Sequence, residues 1–131
     1  MVDSIRYKDW YAKAFADLES AKILFENEGD YSIVAFHCQQ AIEKALKGYI
    51  LKHKGNLISG HSLIFLCKEA SLAEQPVSVN QYLKDCAFVN QFYIETRYPA
   101  DIPTVLSKDE VQECISIAET MLNHICINML S

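Results

Sequence analysis

Arginine is nearly missing from this 131-residue chain, with Arg6 and Arg97 its only two, and acidic residues outnumber basic ones 17 to 12 for a formal charge of -5. A deficit of positive charge excludes broad electrostatic capture of nucleic acid or of an anionic membrane, which needs a dominant basic surface. A small basic patch survives around Lys44, Lys47, Lys52 and Lys54. Paired cysteines are missing too. Cys38, Cys67, Cys86, Cys114 and Cys126 stand far apart with no Cys-x-x-Cys among them, which predicts buried thiols in a reducing compartment rather than a disulfide framework. His-x-x-x-His and Glu-x-x-His arrangements are absent, so no metal is expected. Neither Gly-x-x-x-x-Gly-Lys nor Gly-x-Gly-x-x-Gly occurs, so any nucleotide would be held by side chains and helix ends, and no cofactor is expected. Strand alternation, internal repeats and low-complexity tracts are lacking. No apolar run reaches membrane-spanning length, and charges interrupt the first residues where a signal peptide needs apolar ones, which makes cytoplasmic the expected location.

What is present is a set of apolar residues at helical spacing. Half of the chain is apolar, enough for residues 1–131 to bury one core as a single domain. Tyr7, Trp10, Tyr11, Ala14, Leu18, Ala21 and Phe25 line one side of a first helix. Gly29 suits the left-handed residue that closes it, and Asp30 the cap of the next. The second helix runs from Tyr31 to about Lys52, with small Ala41, Ala45 and Gly48 allowing a neighbour to approach closely. Lys54 to Gly60 reads as a loop, and His61 or Ser62 can cap a third, shorter helix through Leu63, Leu66, Cys67 and Ala70. A fourth fits Val79 to about Tyr93, and Pro99 and Pro103 forbid its simple continuation. Ser107-x-x-Glu110 is a capping box before Val111, Cys114, Ile115, Ala118, Met121, Leu122, Ile125 and Met129. These signals predict an all-α, up-and-down bundle of four to five helices with an irregular connection near residues 95–106.

Polar residues interrupt this pattern where a helix in a core would not ask for them. On the second helix His37, Gln40, Lys44 and Lys47 recur at three-four-three spacing, on a strip distinct from the apolar one. Asp17-Leu18 with Ala21, then Tyr31 with Phe36-His37-x-Gln39-Gln40-Ala41-x-Glu43-Lys44-Ala45-Leu46-Lys47, then Gly60-His61-x-Leu63, then Tyr93-x-x-Thr96-Arg97-Tyr98-Pro99, in that order, resemble the HEPN family across nearly the whole chain.

The resemblance implies a homodimeric helical bundle with polar residues gathered around a cleft near the dimer interface. It also implies several activities: metal-independent ribonucleases, partners of minimal nucleotidyltransferases in toxin and antitoxin modules, and nucleotide-binding domains. Fold membership does not choose among them. The ribonuclease branch carries an Arg followed after four to six residues by His. Arg97 is the only arginine so placed, and the positions where the His would fall are Ile102, Pro103 and Thr104. Acid-base chemistry needs a group of suitable pKa beside the reacting oxygen, and here that imidazole is missing. The expectation is therefore a non-catalytic domain that binds a nucleotide, RNA or a nucleotidyltransferase partner through His37, Gln40, Lys44, Arg97 and Tyr98. The alternative is a divergent ribonuclease in which His37 or Asp101 replaces the imidazole.

Each residue also has a plainer reading. His37 and Gln40 can belong to a solvated face, and Lys44 can pair with Glu43, Glu95 or another acid. Arg97 can hold loop carbonyls, Tyr93 and Tyr98 can anchor packing, and His61 can cap the third helix.

Overall fold

Capping residues delimit most of the helices. The computed structural model describes residues 2–73, 78–95 and 105–127, and within them the elements are α1 (Tyr7–Glu26), α2 (Tyr31–Lys54), α3 (Leu63–Ser71), a 3-10 turn at Val79–Tyr82, α4 (Leu83–Glu95) and α5 (Lys108–Ile125). Asp30 caps α2 by accepting from the amides of Ser32 and Ile33 and from the Ser32 hydroxyl. Ser62, not His61, caps α3 by accepting from Phe65 N. Ser107 and Glu110 form the complete capping box of α5. The bundle is all-helical as the periodicity predicts, with no strand among the described residues.

Two local readings are corrected. The left-handed residue after α1 is Glu28, at φ 60°, and not Gly29. Gly29 is needed for a different reason: a Cβ there would lie 2.9 Å from the carbonyl oxygen of Leu24, which already accepts from Gly29 N at 2.6 Å. The fourth helix does not run regularly from Val79, because its first turn is a 3-10 turn that buries Val79 and Tyr82 before α4 proper begins.

Hydrogen bonds to its carboxylate, first from the Ser32 hydroxyl, hold the pKa of Asp30 below the ordinary value. A depressed carboxylate contributes stability that is present above its unfolded pKa and is lost as pH falls through the folded one. Asp30→Ala should cost about 1 kcal/mol in urea unfolding at neutral pH. The difference from the parent protein should shrink in acid; a gap that persists there would mean the cap does not depend on the charge.

α2 is the axis of the bundle. It is buried along most of its length, from Val34 to Leu51, and packs against α1, α3, α4 and α5. α1 supplies Tyr11, Ala14, Leu18 and Ala21 to the core, and α5 supplies Val111, Cys114, Ile117, Ala118, Met121, Leu122 and Ile125. The final helix turns inward on Ile117 rather than Ile115, which is only partly buried. All five cysteines are free and buried. Burial pushes the Cys114 and Cys126 thiols up to about 12 and Cys38 higher still, so none of these three is a nucleophile near neutral pH.

Candidate functional site

Among the described residues the buried polar or charged ones are Gln39, Glu43 and Lys47, at 0%, 4% and 8% exposure, and they recur every four residues on α2. That spacing puts them on successive turns of one face. Burying a carboxylate and an ammonium is costly unless each is paired and hydrogen-bonded. Here Glu43 accepts from Gln39 Nε2 at 3.1 Å, Lys47 Nζ at 3.2 Å and His61 Nδ1 at 3.0 Å. Gln39 also donates to the main-chain oxygen of His61 at 3.0 Å, and Gln40 Nε2 donates to Gln39 Oε1 at 2.7 Å. The loop before α3 is thereby stitched to α2 through both the backbone and the ring of His61.

A second carboxylate organises the other edge of α2. Asp17 on α1 meets Lys44 Nζ at 2.5 Å and His37 Nδ1 at 3.1 Å. Both clusters therefore have the same composition: one carboxylate, one lysine and one histidine held through Nδ1. Aromatic rings connect them. Phe36 lies edge-on to His37 at 6.1 Å and stacks on Tyr93 at 6.1 Å, and Tyr93 stacks on His61 at 5.7 Å. Beside Lys44 a groove of about 220 Å³ opens, lined by Ser4, Asp9, Trp10, Lys13 and Lys44. Its wall is held in place by Trp10 Nε1 donating to Ser4 O at 2.9 Å and by Ser4 Oγ donating to Asp9 at 2.6 Å.

The structure thus divides the strip of His37, Gln40, Lys44 and Lys47. His37 and Lys44 converge on Asp17, while Gln40 and Lys47 join the Glu43 cluster. Among the described side chains the acid that Lys44 meets is Asp17 and not Glu43; the side chain of Glu95 lies outside them. A phosphate reaching Lys44 must compete with that carboxylate. Arg97 and Tyr98 lie outside the described residues, as do Asp101 and Met129; Tyr93, which opens the Arg97 segment, stands against His61. Sequence reasoning missed the parts played by Asp17, Gln39, Glu43 and His61. The Gln39-Glu43-Lys47 spacing was the available signal, since three polar residues on one helical face of an otherwise apolar segment imply a shared partner. Among the described residues no group of three or more metal-ligating side chains forms, and no helix is long and apolar enough to cross a membrane.

Comparison with known proteins agrees with this architecture. A family model described as the HEPN domain matches residues 7–128. The crystal structure of TT1696 from Thermus thermophilus superposes with a TM-score of 0.79 at 28% identity, covering 95% of this chain and 98% of that one. The structure of ST0689, an archaeal HEPN homologue, does so with a TM-score of 0.71 at 29% identity and the same coverage. No curated protein matches.

Proposed function

The chain belongs to the HEPN domain family, and from that premise we propose that it is a non-catalytic member that binds a nucleotide or RNA segment through the polar edge of α2. The observation that carries this reading is the pair of carboxylate-lysine-histidine clusters that α2, the most buried helix of the bundle, forms with Asp17 of α1 and with His61 of the loop before α3. An apolar face would stabilise that helix at least as well, so a polar one held so closely is accounted for by a ligand. Lys44 and Lys13 border the groove beside the Asp17 cluster and supply positive charge for a phosphate. His37 and Gln40 offer further hydrogen bonds, and the family motif is what adds Arg97 and Tyr98 to the proposed contacts. Binding without cleavage follows from Ile102, Pro103 and Thr104 standing where the family's ribonucleases carry histidine.

Titration of ATP, GTP and a short RNA against the parent protein and Arg97→Ala tests this. Loss of a charged phosphate contact should weaken binding about ten- to a hundredfold, the equivalent of ~1.5–3 kcal/mol. Undiminished affinity in the variant would remove Arg97 from the site, and discrete fragments of tRNA after incubation would overturn the non-catalytic part. If none of these ligands binds, the polar edge is instead a surface for a nucleotidyltransferase partner within a toxin and antitoxin module, detectable by co-purification.

A further inference from the structure

The groove beside Lys44 is not built for an anion alone. Its wall is mostly apolar, and the apolar atoms its lining residues offer are the indole of Trp10 and the methylene stems of Lys13 and Lys44. Acids flank its cations: Asp9, Lys13 and Asp17 follow one another at four-residue spacing on α1, and Asp17 already holds Lys44. Lys13 is exposed and pairs with no acid among the described residues. Trp10, the sole tryptophan of the chain, is half-buried yet fixed at both ends. Its Cβ packs over Gly48, where an added Cβ would lie 3.1 Å away, and its Nε1 donates to Ser4 O at 2.9 Å. Ser4 is held in turn by donating to Asp9, which also accepts from Arg6 Nε at 3.0 Å. Lys44 precedes Gly48 by one turn of α2, so the root of the indole packs one turn from the lysine. An indole whose N–H is already satisfied has its faces left for a ligand, and a face offers stacking rather than hydrogen bonding.

We propose that the base of the bound nucleotide stacks on Trp10 while its phosphates lie at Lys13 and Lys44. This placement rests on the nucleotide reading above. The groove's volume of about 220 Å³ falls below the roughly 300–1,000 Å³ that encloses a drug-sized ligand, so it takes the base and leaves the phosphates at its rim. Asp9, beside Trp10, repels phosphate from that end, and Lys13, one turn further along α1, receives it. Stacking uses the π-face that every base has, so the site tolerates base identity, and the larger purines overlap the indole more than pyrimidines do. A ring already held by Ser4 and Gly48 loses little freedom when a base settles on it.

Because the chain has one tryptophan, its emission reports the stack without any variant. ATP, GTP, UTP and inorganic triphosphate are titrated into the full chain, with free tryptophan correcting for light the nucleotides absorb, and affinities are measured in parallel by calorimetry. ATP and GTP should quench Trp10 and bind more tightly than UTP, whereas triphosphate should bind more weakly than any of them and leave the emission nearly unchanged. Trp10→Leu, which keeps an apolar side chain, should weaken ATP about five- to hundredfold, the range for one lost base stack. Trp10→Phe loses the bond to Ser4 but keeps a stacking face, so it should retain most of the affinity. Lys13→Met should weaken ATP and triphosphate by the same factor. Nucleotide binding with unchanged emission, triphosphate bound as tightly as ATP, or equal losses in Trp10→Leu and Trp10→Phe would overturn the stack while nucleotide binding itself stands. Failure of every nucleotide to bind would overturn both.

Discussion

Glu43→Ala should lower the stability of the fold by about 3–5 kcal/mol, the range for removing one partner of a buried ion pair. Glu43 and Lys47 have side-chain exposures of 6% and 9%, so little water is available to either. Truncation strands the Lys47 ammonium and leaves Gln39, at 0% exposure, without one of its acceptors. His61 contributes less to the loss because its ring is open to solvent. A domain of this size has a total stability of about 5–15 kcal/mol, so urea unfolding should show the protein close to the edge of folding. The double variant Glu43→Leu with Lys47→Met separates the causes. It removes both charges and should recover most of the stability, because a buried pair replaced by apolar side chains of similar volume is often neutral or better. A cost below about 1 kcal/mol for Glu43→Ala would show that Lys47 escapes to solvent along its flexible stem, and that the cluster does not lock the loop to α2.

Gly48→Leu should cost about 3 kcal/mol or more, by a mechanism opposite to a cavity. A Cβ at Gly48 would lie 2.7 and 2.8 Å from two ring carbons of Tyr11 and 3.1 Å from Cβ of Trp10. Tyr11 is 1% exposed and packs edge-on against Tyr7 at 5.4 Å, so its ring has nowhere to swing. The Cβ of Trp10 moves only with the backbone of α1. Overpacking of this kind typically costs about 1–3 kcal/mol, and more when a helix must move. Gly48→Ala is the discriminating control. Helix propensity alone would make it stabilising by about 1 kcal/mol, and the contact with Tyr11 should reverse that sign. A rise in Tm for Gly48→Ala would mean that α1 can retreat without loss.

The close approach at Gly48 was legible, since Ala41, Ala45 and Gly48 form a strip of small residues, and so were the Asp30 and Ser107 caps. Such features depend on residues a few positions apart. The Glu28 turn was not legible, because Gly29 satisfies the usual rule for a left-handed residue while the contact with Leu24 claims it for another purpose. The candidate site shows the same division. That Gln39, Glu43 and Lys47 share a face follows from spacing, but their burial depends on what covers the face. Asp17 finds His37 and Lys44 from 20 and 27 positions away, and His61 finds Glu43 from 18. Those pairings are set by which helix lies against which, information that periodicity along one segment does not hold. Arg97 and Tyr98 rest on the family motif alone.

The loop between α2 and α3 links the site to motion. It is bounded by Gly55 at φ 78° and Gly60 at φ 107°, with no atom within 4 Å of where a Cβ would stand at either. Gln39, Glu43 and Lys47 are embedded in the central helix and open only when the domain does, whereas His61 rides directly after the second of these pivots. Loop excursions occur in nanoseconds to microseconds, far faster than the opening of a packed helix. A substitution at Gly60, whose left-handed φ favours glycine, therefore acts first on the contact between His61 and Glu43 and leaves the packed face of α2 in place.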